Sequence, residues 1–144
     1  MTQEIEIGQL PLDLLTPAWP YLAPFLIAGA KVDPDVDLNQ AVADVLEGKA
    51  RIWVILDGET PIGAFLTSIV QTSDGEALDV YGLGGRSILK WGQKITTAMI
   101  AYAQVNRCDR IIFKGRKALQ RAYPGIRAVG QEPDGTYLYE RRVA

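Results

Sequence analysis

The chain has 144 residues, 48% of them hydrophobic and 22% charged, and this balance predicts one globular domain over residues 1–144 rather than a disordered segment. It has no histidine and a single cysteine, Cys108, which excludes an intramolecular disulfide and Ser–His or Cys–His nucleophile pairs and argues against a zinc site. The first ten residues do not resemble a signal peptide, and the longest apolar stretch, residues 18–30, is too short to span a bilayer. We therefore expect a cytoplasmic protein without membrane contact.

The net charge is −2, but the charged residues are unevenly distributed along the chain. Residues 1–85 carry 3 Lys/Arg and 13 Asp/Glu, whereas residues 86–144 carry 12 and 4. Either the two halves pair within one fold, or the basic half faces an anion such as a phosphorylated cofactor or nucleic acid.

The first third of the chain predicts one strand and two helices. Residues 4–10 alternate apolar and polar side chains, as a short strand does. The first helix is predicted to begin with Thr16 as N-cap and Pro17 at its first position. The second helix is predicted to begin after Asp37 as N-cap and to end at Gly48.

The remaining chain predicts two hairpins, the first turning at Asp57-Gly58, and a strand–helix–strand unit between them. Such a unit joins parallel neighbouring strands. The overall order is β-α-α-β-β-β-α-β-α-β-β, a mixed sheet of the α+β class with one parallel pair. After residue 50 the predicted elements are a hairpin (51–71), a strand (76–83), a long helix from Ser87, a strand (109–116), a short helix (117–125) and a second hairpin (126–143).

The segment YGLGGRSILKWGQ, residues 81–93, runs from a predicted strand through a glycine turn into the long helix. Its first two spaced glycines fit a dinucleotide-binding fingerprint, but the third place is Ser87, and a P-loop ending is absent. The backbone N–H groups of Gly85, Arg86 and Ser87 can nevertheless hold an anion at a helix start, with charge added by the side chains of Arg86 and Lys90. The alternative is a plain helix start with Ser87 as N-cap.

The element order, together with EGKARIWVILDGETPIGAFLTSIV, LGGRSILKW and CDRIIFKGRKALQRAYPG, resembles the GCN5-related N-acetyltransferase (GNAT) fold over nearly the whole chain. More narrowly, these segments are similar to GNAT-like proteins of tailed bacteriophages and prophages, some of which are internal virion proteins. The resemblance implies acetyl-CoA between two splayed parallel strands, here residues 76–83 and 110–115. The cofactor-binding residues that it implies are Gly84, Gly85, Arg86, Ser87 and Arg116.

Acetyl transfer to an amine needs a base and an acid. The resemblance implies Tyr123 as the acid and Asp79 or Glu76 as the base. The alternatives are a tyrosine that packs a helix end and a solvated strand face. The sequence also departs from the family, because the two glycine positions counted from Arg86 hold Leu89 and Trp91.

Two functions follow from these patterns. The first is an acetyl-CoA-dependent N-acyltransferase that acts on a small-molecule or protein amine. The second is a non-catalytic, phage- or prophage-encoded structural or accessory protein that binds virion proteins and lies in the host cytoplasm or the virion. Nucleic acid is not favoured as a partner, because the basic stretch 114–127 matches no docking motif and the chain is acidic overall.

Overall fold

A computed structural model describes residues 5–33, 35–86, 88–115, 125–131, 133 and 135–143. Short 3-10 helices at Leu12–Leu14 and Ile88–Trp91 precede the first and third α-helices. The strands and α-helices are β1 (Ile5–Gln9), α1 (Leu15–Val32), α2 (Leu38–Leu46), β2 (Arg51–Asp57), β3 (Thr60–Thr72), β4 (Gly75–Gly85), α3 (Gly92–Val105), β5 (Arg110–Gly115), β6 (Arg127–Gln131) and β7 (Tyr137–Arg142). This order confirms the predicted one. The exception is the short helix predicted over 117–125, because all of these residues but Gly125 lie outside the described residues.

The strands follow the order β1-β2-β3-β4-β5-β7-β6 in one mixed sheet. The pair β4–β5 is parallel and is joined through α3, whereas β1–β2, β2–β3, β5–β7 and β6–β7 are antiparallel. The first predicted hairpin turns at Asp57-Gly58, where Gly58 has a φ of +62° that favours glycine. The predicted α+β class, with its one parallel pair, is confirmed.

By its contacts the chain divides into two compact units. The N-terminal unit comprises Met1–Ser68 and Tyr81–Arg86, and the C-terminal unit comprises Ile69–Val80 and Ser87–Ala144. Strands β3 and β4 therefore contribute residues to both units. That the chain is a single domain stays a prediction.

The N-terminal unit buries one apolar core, in which helix periodicity meets strand periodicity. Helix α1 contributes side chains at spacings of seven and four residues, α2 contributes two that are four apart, and the strands contribute alternate residues. The core consists of Leu15, Leu22, Leu26, Ala41, Val45, Ala50, Ile52, Val54, Ala64 and Leu66.

Helix α1 begins earlier than the sequence predicts. Its N-cap is Leu14, without a side-chain cap bond, so the prediction of Thr16 as N-cap is wrong. Leu15 is only 7% exposed, and burying its side chain favours a helix that already includes this residue. Pro17 is tolerated because it lies in the first turn, where backbone N–H groups have no intrahelical partner. None of the described helices is both long and apolar enough to cross a membrane.

Helix α2 follows its prediction closely. The Asp37 carboxylate accepts hydrogen bonds from the backbone N–H groups of Asn39 and Gln40, at 3.0 and 3.2 Å. Gly48 ends the helix with a φ of +80° and donates its N–H to the Val45 carbonyl at 3.1 Å. Both signals depend on local backbone geometry, which a short sequence motif can specify.

Helix α1 approaches strand β4 so closely that their backbones are in contact. A Cβ atom added at Gly29 of the helix would overlap the carbonyl group of Gly82, and one added at Gly84 would overlap the carbonyl group of Phe25. Gly82 also has a φ of +65°. Gly29 and Gly84 are therefore required here by the packing of α1 on β4, whereas glycine is favoured at position 82 by the backbone conformation.

We expect Gly29→Ala to lower the free energy of unfolding by at least about 2 kcal/mol, even though Ala gains roughly 1 kcal/mol over Gly within a helix. The added methyl group meets backbone atoms, which cannot move aside as a flexible side chain can. Gly8→Ala is the matched control, because a Cβ atom at Gly8 has open space around it. Urea unfolding measures both variants, and an equal effect of the two would contradict the contact.

Candidate cofactor site

The glycine turn lies at the end of β4, and one of its backbone N–H groups already donates a hydrogen bond within the protein. The Arg86 N–H donates to the Ile62 carbonyl at 2.8 Å, so this amide is not available to an anion. This corrects the expectation that the N–H groups of residues 85–87 act together. Successive N–H groups of a strand point to opposite edges, which directs the Gly85 N–H away from β3. Ser87 lies outside the described residues.

The glycines before this turn have a packing role that the sequence analysis did not assign. Gly84, predicted to bind the cofactor, lies against the backbone of α1 at Phe25 and Gly29. Gly82 has a φ of +65°, a backbone conformation that favours glycine. Close approach of α1 explains Gly84 and backbone conformation explains Gly82, so neither glycine of the nucleotide fingerprint requires a ligand.

In the C-terminal unit, the long helix begins later than predicted. Residues 88–91 form a 3-10 turn and α3 starts at Gly92, so Ser87 is not the cap of the α-helix. Its N-cap, Trp91, offers no side-chain bond, and no acidic residue lies in the first turn. The first N–H groups of α3 consequently have no side-chain acceptor and carry the positive end of the helix dipole.

Two side chains add to this positive region at the start of α3. The indole N–H of Trp91 is buried and has no hydrogen-bond acceptor among the described residues. The ammonium group of Lys90 lies 5.1 Å from the centroid of the Trp91 ring. A buried donor without an acceptor costs free energy unless a ligand or water supplies one. This donor was not predicted from the sequence, because Trp91 lies on the apolar face of the predicted helix.

The proposed bases lie at the parallel pair of the same unit. Ala77–Asp79 are in register with Arg110–Ile112, and the register ends there, although both strands continue. Asp79 is therefore the last residue of β4 in this ladder, and its side chain is half-buried. Glu76 precedes the ladder and is exposed, and its carbonyl accepts the Asp109 N–H at 3.0 Å. Of the predicted catalytic residues, the structure thus describes these two, while Tyr123 and Arg116 lie outside the described residues.

A buried carboxylate that the sequence analysis did not single out, Glu140, lies on the same sheet face as Asp79. Both residues are in register with Ile112, from opposite sides. Its Oε1 accepts two hydrogen bonds from Arg127, at 2.8 and 3.2 Å, and lies 3.7 Å from Arg142. The Glu140 side chain is 9% exposed, so these ion pairs compensate for most of its lost hydration.

Arg110 extends this cluster towards the β3–β4 hairpin. Its Nε lies 3.6 Å from Glu140 Oε2, too far for a hydrogen bond but within ion-pair range. Its other nitrogens donate to Thr72 Oγ1 at 2.8 Å and to Asp74 Oδ2 at 3.3 Å. One arginine thus links β5 to β7 and to the hairpin. These ion pairs and hydrogen bonds hold strands together, and we assign the cluster a structural role. The buried Nε of Arg110 has no hydrogen-bond acceptor among the described residues.

Cys108 is buried, with 4% of its surface exposed. Burial raises the pKa of its thiol, and the carboxylates of Glu76 and Asp109 raise the pKa further. The thiol is therefore protonated near neutral pH and packs as a small apolar group. Within the described part of the chain, no group of three or more His, Cys, Asp or Glu side chains is placed to hold a metal ion.

Solved structures share this fold over almost the full chain. The N-acyl amino acid synthase FeeM from uncultured soil microbes matches at 14% identity and a TM-score of 0.67, over 99% of this chain and 92% of its own. An N-acetyltransferase from Staphylococcus aureus Mu50 matches at 10% identity and 0.65, over 97% and 98%. A GNAT family acetyltransferase from Elizabethkingia anophelis with acetyl-CoA bound matches at 12% identity and 0.63, over 98% and 99%.

No protein-family model and no curated protein matches the sequence. The structural similarity confirms the predicted GNAT fold. At these identities it establishes the fold alone, because one fold serves many functions.

We expect Glu140→Ala to lower the free energy of unfolding by about 3 kcal/mol, because it leaves the largely buried Arg110 guanidinium without its nearest buried counter-charge. Glu47→Ala is the control. It removes an exposed carboxylate 2.8 Å from Lys49, and such surface pairs contribute at most about 1 kcal/mol. Thermal and urea unfolding compare the two, and equal losses would refute the structural role of Glu140.

Cys108 is expected to react with Ellman's reagent at pH 8 at least about tenfold more slowly in the folded protein than in urea, because it is buried and its thiolate is disfavoured. The same shift makes stability fall as pH rises from about 8.5, the pKa of an unfolded thiol, through the higher folded pKa. Cys108→Ser should weaken this fall. Rapid labelling of the native thiol would contradict the burial.

Proposed function

We propose that the chain is an acyl-CoA-dependent N-acyltransferase that transfers an acetyl group to an amine. The observation that carries the proposal is the start of α3, where first-turn N–H groups without a side-chain cap, a buried indole N–H and Lys90 lie together. Diphosphate oxygens are acceptors suited to such donors. The Elizabethkingia relative in fold has acetyl-CoA bound, which supports the same ligand class here.

In this proposal the phosphates of acetyl-CoA are held mainly by the first turn of α3 and Lys90. The glycine turn adds the Gly85 N–H and the Arg86 guanidinium, with Ser87 and Gly84 as its flanking residues. Arg116 is proposed as a further phosphate or substrate contact. The bound thioester supplies the acyl group, and the protein orients it for attack.

The catalytic roles are proposed for Asp79 and Tyr123, with Glu76 as a second candidate base. Asp79 accepts the proton of the attacking amine, directly or through water, as the new C–N bond forms. When the C–S bond breaks, Tyr123 donates its proton to the departing thiolate. The amine is a small molecule or a protein side chain. FeeM, an N-acyl amino acid synthase, supports testing acyl groups longer than acetyl as well.

A non-catalytic role on the same scaffold is the second candidate. It is favoured by two observations: the Arg86 N–H is occupied by Ile62, and Leu89 and Trp91 stand where the family has glycines. In that case the chain is an accessory or structural protein, and its phage or prophage origin and virion partners stay predictions. A single-domain chain is part of both proposals.

Isothermal titration with acetyl-CoA tests the cofactor proposal. We expect a micromolar dissociation constant for the wild type, weakened about tenfold by Lys90→Ala and by Arg86→Ala, because each removes a charge near the phosphates. Lys49→Ala, which removes a charge in an exposed pair after α2, should leave binding unchanged. No binding at millimolar acetyl-CoA to folded protein would instead favour the non-catalytic role.

For a protein that binds acetyl-CoA, an amine screen that detects released CoA thiol tests the chemistry. With an accepted amine, Asp79→Asn and Tyr123→Phe should each lower kcat by about 100-fold or more while acetyl-CoA binding is kept. Retention of full activity in both variants would exclude these two residues as base and acid without affecting the binding proposal.

A further inference from the structure

Helix α1 is apolar on its outer side as well as on the side that faces the core. Its buried residues include Leu15, Leu22, Leu26 and Gly29, which share one face. Apolar residues also fill an opposite arc of about 140°, counted at 100° per residue. A helix that is apolar all round normally has protein or lipid on both sides. The exposed set, here called the outer face of α1, is Leu14, Pro17, Pro20, Tyr21, Pro24, Ile27, Ala28 and Val32.

The exposed fractions on this face are large. Tyr21 is 68% exposed, Leu14 47% and Ile27 46%. The neighbouring Leu12, in the 3-10 turn before the helix, is 54% exposed. Contiguous exposed apolar surface of this kind marks an interaction site more often than scattered single residues do.

Charges occur only at the two ends of the outer face, and they have opposite signs. Asp13 lies just before α1 and Lys31 lies in its last turn, and residues 14–30 carry no charge. Asp13 lies in the 3-10 turn, and counted at about 120° per residue there and about 100° per residue in α1, the two residues lie within about 40° of each other around the helix axis. Both are exposed, and neither has an ion-pair partner among the described residues.

We propose that the outer face of α1 is the interface of a two-fold symmetric dimer in which the α1 helices of two copies of this chain pack antiparallel. A two-fold axis at residue 22 brings Asp13 next to the partner's Lys31, and Lys31 next to the partner's Asp13. The same axis sets Pro20 opposite the partner's Pro24. An isologous interface requires this self-complementarity, and here one surface supplies both charges and the apolar strip between them.

The charge pattern favours an antiparallel second copy of this chain over a parallel copy or a membrane surface. A parallel pairing would place like charges together at each end, which costs free energy. A helix lying on a membrane surface is typically rich in Lys and Arg along its polar side, whereas Lys31 is the one charged residue of α1 and its other exposed residues are apolar except Thr16. The prolines and Ala28 also present short, rigid side chains, which permit close helix packing at little entropic cost.

The size of the face sets the expected affinity. A helix of 18 residues is about 27 Å long, and one face of that length falls short of the roughly 800 Å² per partner that typical stable interfaces bury. The dimer should therefore dissociate in the micromolar range. It does not depend on acyl transfer, so it can be tested whether or not the protein binds acetyl-CoA.

Sedimentation equilibrium over a concentration series is the first test. The wild type should show a monomer–dimer equilibrium, and Tyr21→Glu should weaken it by about tenfold or more, because it places a charge within the apolar strip. The matched control is Val105→Glu on α3, where the side chain is 81% exposed. The control should keep the wild-type equilibrium, and circular dichroism checks that both variants are folded.

A charge swap then tests the antiparallel arrangement. Lys31→Glu alone and Asp13→Lys alone should each weaken the dimer, whereas the double variant should recover most of the wild-type affinity. Lys49→Glu controls for net charge. A monomer at all concentrations up to about 0.5 mM would overturn the proposal. So would a dimer insensitive to Tyr21→Glu, a double variant no better than the singles, or association only with lipid vesicles or another protein.

Discussion

The N-terminal unit depends on one contact, in which the backbone of α1 touches the backbone of β4. No side chain fits between Gly29 and the carbonyl of Gly82, or between Gly84 and the carbonyl of Phe25. This contact fixes the depth at which the helix lies on the strand and directs Leu22 and Leu26 into the core. The opposite side of α1 is thereby turned outward, and its apolar residues are left exposed.

In the C-terminal unit, ion pairs rather than a backbone contact hold neighbouring elements in position. Arg110 connects β5 to the β3–β4 hairpin through Thr72 and Asp74, and to β7 through Glu140. Glu140 and Asp79 are both in register with Ile112 of β5. The cluster therefore also holds β5, the strand with which Asp79 pairs, in position. The buried charges stabilise this register chiefly because loss of either sign would leave the other unpaired.

The sequence predicted best those features that local backbone chemistry controls. The Asp37 cap, the Gly48 helix end and the Asp57-Gly58 turn all lie where expected, since each depends on a few adjacent residues. Features decided by tertiary contacts were missed. The burial of Leu15 displaced the Thr16 cap, and the 3-10 turn after β4 moved the start of α3 to Gly92. Glu140 was missed because its arginine partners come from three different strands.

The glycine turn was interpreted either as a cofactor-binding turn or as a plain helix start, and the hydrogen bonds and contacts of its backbone groups bear on this choice. Gly84 allows the contact with α1, Gly82 supplies a backbone conformation that favours glycine, and the Arg86 N–H donates to the Ile62 carbonyl of β3. Few turn amides then remain for a phosphate, whereas the first N–H groups of α3 and the Trp91 indole still lack side-chain acceptors among the described residues. If this chain binds acetyl-CoA, the affinity should accordingly depend more on the start of α3 and Lys90 than on the glycines.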